Sequence, residues 1–550
     1  MTEERPVEQP VRPAAPAARA GPRGLSGRVA GGVAWLMGRT VLTKVITLGA
    51  QMILARLLLQ DEFGAFALCS IALAIANTVG EAGVKQVLVQ RFRSFKTWSG
   101  PAFWITAATG MLGGLVSLAI IPIMASIYGP SLVPLLLVMS IEAFVRPMLL
   151  PAMARLQIDM RFGAIAVIGA GQTAVQAAVQ IVLALMGGGA MSLAASRPAM
   201  TIAAVVAAWL ISGQPIGGRF RFNKWKYLLG NTVWMLAAAG LWRVTLQSDK
   251  AILGLFVDKS EVGLYFVAFQ VSVQTMMLIS VNLQNVLLPV LSSMKGDPSR
   301  MLAAMKRGGA ALAAIALPIC ASISIVARDA TPVLFGERFR ATGPILTVLS
   351  LALFFRAMLS IVDTTLQSRG QFKIAFFYQL WTALAFVACA TPFAWALGAV
   401  GMAGGVLVHG VIALIIGCAF VFGDAGPRSA WEIVRSPLLA AIVPLIGGIY
   451  ATRTFAGTGN VTHLVFSSAV ACVFVAIYGG SLLIIDRPLV GAVLQPFRGR
   501  LPGPARKLID KIVPPQPKAP KSDGPTPPTA DGDPPRTASR GHTQARPDSE

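Results

Sequence analysis

The residues of this chain that could do chemistry are polar side chains set inside long apolar stretches. Arg39, Thr43 and Thr47 share one helical face by i, i+4 spacing, with Lys44 and Gln51 beside it. Further on, Arg243, Gln247 and Lys250 fall at i, i+4, i+7, with Asp249 adjacent. Arg356, Ser360, Asp363 and Gln367 form a third stripe, and Gln172, Gln176 and Gln180 an uncharged one. Gln270 and Gln274 precede Asn282, Gln284 and Asn285. Ionisable groups in hydrocarbon are costly unless they face protein or water, so these stripes point to a cationic, amide-lined interior. Guanidinium groups pair bidentately with phosphate, and amides both donate to and accept from hydroxyls. Together they suit an anionic, polyhydroxylated cargo.

Other ionisable residues read as structural. Glu81/Lys85 and Glu142/Arg146 are i, i+4 pairs, each able to neutralise itself on its own helix. His409, between Val408 and Gly410, reads as a packed interior residue. Snorkelling to an interface is the alternative for the unpaired cations, and it fits Lys250, near the outer end of its span, better than Arg356. The chain has no GxSxG, HExxH or P-loop pattern, and its five cysteines have no CxxC spacing, so neither covalent catalysis nor zinc is implied. No catalytic residue and no cofactor follow from the sequence.

The elements that hold these stripes are set by composition. Of 550 residues, 55% are apolar and 13% charged, with 54 glycines, and the mean hydropathy is +0.67. A soluble surface needs roughly a quarter charged residues. The fold class is therefore all-α and polytopic in a membrane, since the apolar runs are about twice the ~10 residues of a barrel strand. Fourteen stretches could each cross the bilayer: 31–54, 63–88, 101–127, 132–151, 163–186, 190–212, 227–247, 263–288, 308–327, 342–366, 375–396, 401–422, 438–451 and 464–485. The thirteenth is the shortest. A count of twelve remains open.

The net charge of +23 would suggest nucleic acid in a soluble protein, but here the basic residues sit in the short gaps between apolar runs. With the N-terminus in the cytoplasm, 33 of the 47 Lys and Arg fall on the inside and 7 in outer loops. That bias places both termini in the cytoplasm. Residues 1–30 and the proline-rich basic segment 486–550 read as disordered tails, suited to anionic membrane lipid.

An internal echo divides what lies between. Ile53-Leu54 … Glu62-Phe63-Gly64-Ala65-Phe66 returns at an offset of 199 as Ile252-Leu253 … Glu261-Val262-Gly263-Leu264-Tyr265. Val87-Leu88-Val89 likewise falls opposite Val286-Leu287-Leu288. The recurrence comes six spans later, so it predicts an N-terminal lobe at 31–226 and a C-terminal lobe at 227–422 around a central cavity. Two additional helices at 423–485 complete the membrane part.

The segment Ile53–Leu68, followed by Gly83 and Gln86–Arg91, resembles the opening of the polysaccharide transporter family. This family includes Wzx-type flippases and exopolysaccharide exporters, within the multidrug/oligosaccharidyl-lipid/polysaccharide superfamily. Gln247–Phe256, Glu261–Tyr265 and Leu288–Ser292 are similar to its second conserved region. The resemblance spans roughly residues 31–485. It implies two lobes working by alternating access, in a bacterial inner membrane, on an undecaprenyl-pyrophosphate-linked oligosaccharide. It also implies basic cavity residues on the first and seventh helices, where Arg39, Lys44, Arg243 and Lys250 lie. Coupling to a proton or sodium gradient is implied as well, with Asp363 the nearest intramembrane carboxylate. A polysaccharide polymerase and glycosyltransferases are the implied partners.

Two other functions fit a membrane helix bundle. A drug or metabolite exporter of the same superfamily would favour carboxylates in the cavity, and only Glu81, Glu142 and Asp363 lie well inside spans. A polymerase or ligase of lipid-linked sugars would need a large outer loop, and the longest here, 248–262, is short.

Overall fold

The structure is a computed structural model describing residues 43–81, 95–213, 233–294, 298–455 and 461–494. Arg39, Lys85, residues 87–89 and the boundary at 226 lie outside these, as do the side chains of Glu81, Asn282, Gln284 and Asn285. The described residues belong to one compact unit, Met1–Gln495, and the second unit, Pro496–Glu550, is outside them.

Among the described residues every regular element is a helix. Helix α1 covers 43–57, α2 Gln60–Glu81, α3 Phe95–Tyr128, and α4 Val133–Val145 continues through a tight turn into α5, Leu149–Ile158. Then come α6 (Phe162–Leu185), α7 (Ala190–Ser212), α8 (Val233–Leu253), α9 (Lys259–Ser293), α10 (Pro298–Phe335) and α11 (Thr342–Arg369). The last are α12 (Phe372–Phe422, broken at Gly398), α13 (Gly426–Phe455), α14 (Val461–Ile485) and the short α15 (Arg487–Leu494). Nine segments among the described residues are long and apolar enough to cross a membrane, so the chain is a multi-pass membrane protein. Each of the fourteen apolar stretches overlaps one of these helices.

The helical form follows from the solvent. With no water in hydrocarbon, backbone N–H and C=O groups must bond within their own segment. Hydroxyl side chains hide in the same way: Thr78, Ser140 and Thr365 each donate to the carbonyl four residues earlier. The thirteenth helix is longer than its apolar run because its first turns are charged. Glu432 there accepts from Lys306 at 2.8 Å and from Arg428 at 3.2 Å.

The second half repeats the first turn for turn. Gly129 (φ 100°, ψ 153°) and Gly336 (φ 94°, ψ 162°) each lead into a 3₁₀ turn. Met160 (φ 53°) and Gly370 (φ 73°) are followed by Arg161 (−83°, 58°) and Gln371 (−86°, 57°). Gly189 (50°, −136°) and Gly398 (56°, −136°) close the next hairpins. Glu62 approaches Gly189 and its echo Glu261 approaches Gly398, where it accepts from the Ala399 N–H at 2.7 Å. Two pseudo-repeated lobes are therefore built from one pattern.

The halves meet where α2 crosses α9, with the echo residues Gly64 and Gly263 face to face. A Cβ on Gly64 would collide with the Lys259 carbonyl, and one on Gly263 with the Gln60 carbonyl. Around this crossing Ser260 donates to Gln60 Oε1 at 2.7 Å, Lys259 to Ser131 at 2.6 Å and Tyr128 to the Ala251 carbonyl at 2.9 Å. Phe63, Phe66, Phe266 and Phe339 pack beneath it with tilted and edge-on rings. Gly64→Val or Gly263→Val should force these helices apart at a cost of about 1–3 kcal/mol. The check is disulfide formation in a Gln60→Cys/Ser260→Cys pair, efficient in the parent and strongly reduced once either valine is added.

Candidate functional site

Against that aromatic layer lies a partly open cavity. Helix α1 contributes Thr47, Ala50, Gln51 and Leu54, α2 contributes Phe63 and Phe66, and α6 contributes Thr173, Gln176, Ala177 and Gln180. Leu193 of α7 and Phe266 and Gln270 of α9 complete it, so both halves line the space. The i, i+4 and i, i+7 spacings legible in the sequence put Gln176 with Gln180 and Thr173 on one face of α6.

Of the expected site residues, Gln176 and Gln270 line this cavity, while Gln172 and Gln274 are half-buried elsewhere on the same helices. Lys44, Arg243, Lys250 and Arg356 are not among its lining residues. Lys44 is half-buried three residues before Thr47 and seven before Gln51, on the lining face of α1. At the offset of 199 its counterpart is Arg243, half-buried on α8. One cation therefore stands at the matching position of each half.

Lys250 corrects an expectation. Helix α8 runs past it to Leu253, and the residue is 1% exposed rather than snorkelling outward. Its ammonium donates to Gln247 Oε1 at 2.8 Å and to Asp249 Oδ1 at 3.1 Å, and sits 3.7 Å above the Phe269 ring. Tyr265 donates to the other Asp249 oxygen at 2.9 Å. A buried charge must be paired, and every strong contact of this ammonium is with the protein itself. Arg356 lies within electrostatic reach of Asp249 and Tyr265, and its Nη1 is buried with no hydrogen-bond partner. Asp363 accepts from Gln379 at 3.0 Å. His409 is packed, as its surroundings in the sequence suggest, against Phe386 and the Thr382 carbonyl.

The first half has its own ionic core. Glu142 is wholly buried and accepts from Arg146 at 3.1 Å, the i, i+4 pair read from sequence. It also accepts from Arg197 on α7 at 2.9 and 3.1 Å, a partner 55 residues away with no local signal.

The class of fold follows from comparison with solved structures. The lipid II flippase MurJ in its inward closed conformation superposes with a TM-score of 0.62, covering 82% of this chain and 100% of that one at 13% identity. The eukaryotic MATE transporter AtDTX14 gives 0.54, covering 74% and 98% at 12% identity. The fold is that of these membrane transporters. The family profile described as "Polysaccharide biosynthesis protein" matches residues 53–344, and the chain belongs to that family. Among curated relatives, the succinoglycan biosynthesis transport protein ExoT of Rhizobium meliloti (strain 1021) is 25% identical over 488 residues, 85% of this chain and 96% of that protein. The lipopolysaccharide biosynthesis protein WzxC of Escherichia coli (strain K12) is 19% identical over 391 residues, 70% and 79% of the two chains.

Glu142→Gln should strand two guanidinium groups between α4 and α7 and cost about 3 kcal/mol of stability. Thermal unfolding in detergent reads this. The double change Glu142→Gln/Arg197→Met should recover part of the loss, because one of the stranded charges is gone.

Proposed function

We propose that this protein moves an undecaprenyl-pyrophosphate-linked oligosaccharide across a bacterial inner membrane for surface polysaccharide assembly. The observation that carries the reading is a partly open cavity with four glutamines, two threonines and three phenylalanines in its lining, to which both repeated halves contribute. Such a cargo cannot cross hydrocarbon alone, because its pyrophosphate and hydroxyls would lose water without replacement. Rocking the halves about the cavity would open one end as the other closes, with no covalent bond changing. Membership of a polysaccharide biosynthesis family and the likeness to named transporters of such polymers support this cargo class.

In this reading the basic residues take the anionic end of the cargo. Lys44 and Arg243, at equivalent positions of the two halves, would each face one phosphate, with Arg356 supplying an unspent donor; Arg39, outside the described residues, is assigned to the same role from its place in the sequence. The lobes comprise 31–226 and 227–422, the helices at 423–485 flank them, and both tails lie in the cytoplasm. Asp363 is assigned to ion coupling, and a polymerase and glycosyltransferases act before and after the transfer. The drug-export reading is disfavoured, since the cavity lining among the described residues holds amides and no carboxylate for a cationic cargo.

In a deletion strain, untranslocated lipid-linked repeat units should accumulate and surface polymer should vanish; normal polymer with no accumulation would refute the reading. Lys44→Ala and Arg243→Ala should each weaken transport about tenfold or more, the worth of a charge-assisted hydrogen bond, with protein level and membrane insertion unchanged. Wild-type polymer from both variants would show that the cargo's charge is held elsewhere.

A further inference from the structure

We infer that the cavity between α1, α2, α6 and α9 is a sugar-reading subsite, which binds an uncharged pyranose of the cargo rather than its pyrophosphate. This rests on the transport reading above and assigns one part of it.

The lining has a specific chemistry. Gln51, Gln176, Gln180 and Gln270 converge from three helices, and none hydrogen-bonds another residue of the chain among those described. Each amide offers two donors and two acceptor sites. Gln51 Oε1 is buried with nothing donating to it. An unsatisfied buried polar atom is costly, and Gln51 Oε1 is one; with three further amides turned to the same cavity, the site calls for a ligand with many hydroxyls. The threonines complement them. Thr47 spends its proton on the Thr43 carbonyl at 2.7 Å and Thr173 on the Gly169 carbonyl at 3.1 Å, which leaves both oxygens as acceptors.

Among the described residues no Lys, Arg, Asp or Glu lines this cavity. A phosphate would therefore meet only neutral donors, roughly half as strong as the charged ones it can find nearby. The lining also carries three aromatic rings, Phe63, Phe66 and Phe266. A pyranose matches this pairing, with hydroxyls around its edge and C–H groups on its faces.

The internal repeat argues that this chemistry is not a by-product of duplication. At the offset of 199, Gln270 answers to Ile71, Phe266 to Ala67 and Gln51 to Lys250. Ile71 and Ala67 are buried in the apolar core, and Lys250 is locked to Asp249. The two halves share their turns and their crossing glycines yet differ at the cavity. A single asymmetric ligand accounts for that difference. Lys44, on the same face of α1, places a charge just beyond the amides, so the sugar and the pyrophosphate would lie end to end.

The test uses the full-length protein in lipid nanodiscs with two probes, undecaprenyl pyrophosphate and the same lipid carrying one N-acetylhexosamine. Native mass spectrometry reads both affinities. Wild type should prefer the sugar-bearing lipid. Gln176→Leu and Gln270→Leu should each reduce that preference about fivefold, the worth of one neutral hydrogen bond, and leave the sugar-free lipid unaffected. Lys44→Ala should weaken both probes alike. Where a leucine variant fails to fold, the Gln→Asn change at that position takes its place, with the same selective loss expected. Amide variants that fold and keep the full preference would overturn the inference, as would variants that weaken both lipids equally, which would give the amides to the pyrophosphate. Equal binding of both probes by wild type, lost on Lys44→Ala, would overturn the sugar subsite while leaving the transport reading standing. Failure of wild type to bind either lipid would overturn both.

Discussion

A polar group placed in hydrocarbon must find a partner, and the structure of this chain is organised by how each group finds one. Backbone amides are satisfied within helices, and hydroxyls turn back onto the preceding turn. Charges are resolved in two compact clusters, Glu142 with Arg146 and Arg197 in the first half, and Asp249 with Lys250 and Tyr265 in the second. What is left after that settlement is small. Among the described residues the buried atoms left without a partner include Gln51 Oε1 at the cavity and the Nη1 of Arg356, with others at Asn77, Thr201, Ser272, Asp329, Thr342 and Ser429. In a membrane protein such residues are where binding is to be expected.

The repeated architecture sets those groups between two similar halves. Matching turns at Gly129/Gly336, Met160/Gly370 and Gly189/Gly398 make two lobes of one design. Their closest approach is made by the two glycines of the echo, which allow backbone to lie against backbone. A contact of that kind is either fully made or absent, because packed surfaces do not deform continuously. The aromatic layer beneath it shields the cavity from the same end. The fold thus sets the contact between its two halves beside the amide-bearing cavity, the arrangement on which the proposed alternating access rests.

Much of this was legible from residue order. Apolar run length located the helices, and even the weak thirteenth stretch at 438–451 marked the apolar centre of α13. The Glu-x-Gly echo pointed to the repeat, and the glutamine stripe of α6 already contained Gln180 along with Gln176. Reading cations by their local neighbours worked less well. Glu142/Arg146 was visible as an i, i+4 pair, but Arg197 and Tyr265 join their clusters from distant helices, and no periodicity announces that. Lys250 shows the consequence. Its spacing suggested either a cavity cation or one snorkelling to the outer face, and in the fold it is buried against Asp249, Gln247 and Phe269.

By itself the sequence determined the solvent, the helix positions, the internal repeat and the stock of polar groups carried into the membrane. Those properties depend on run length, period and composition, which are local along the chain. Only the tertiary structure decided which polar groups neutralise one another and which are left over. It made the centre of the cavity an amide chamber with the cations set apart, because that division depends on which helix faces meet across the fold, and side-chain spacing on one helix carries no information about the face opposite.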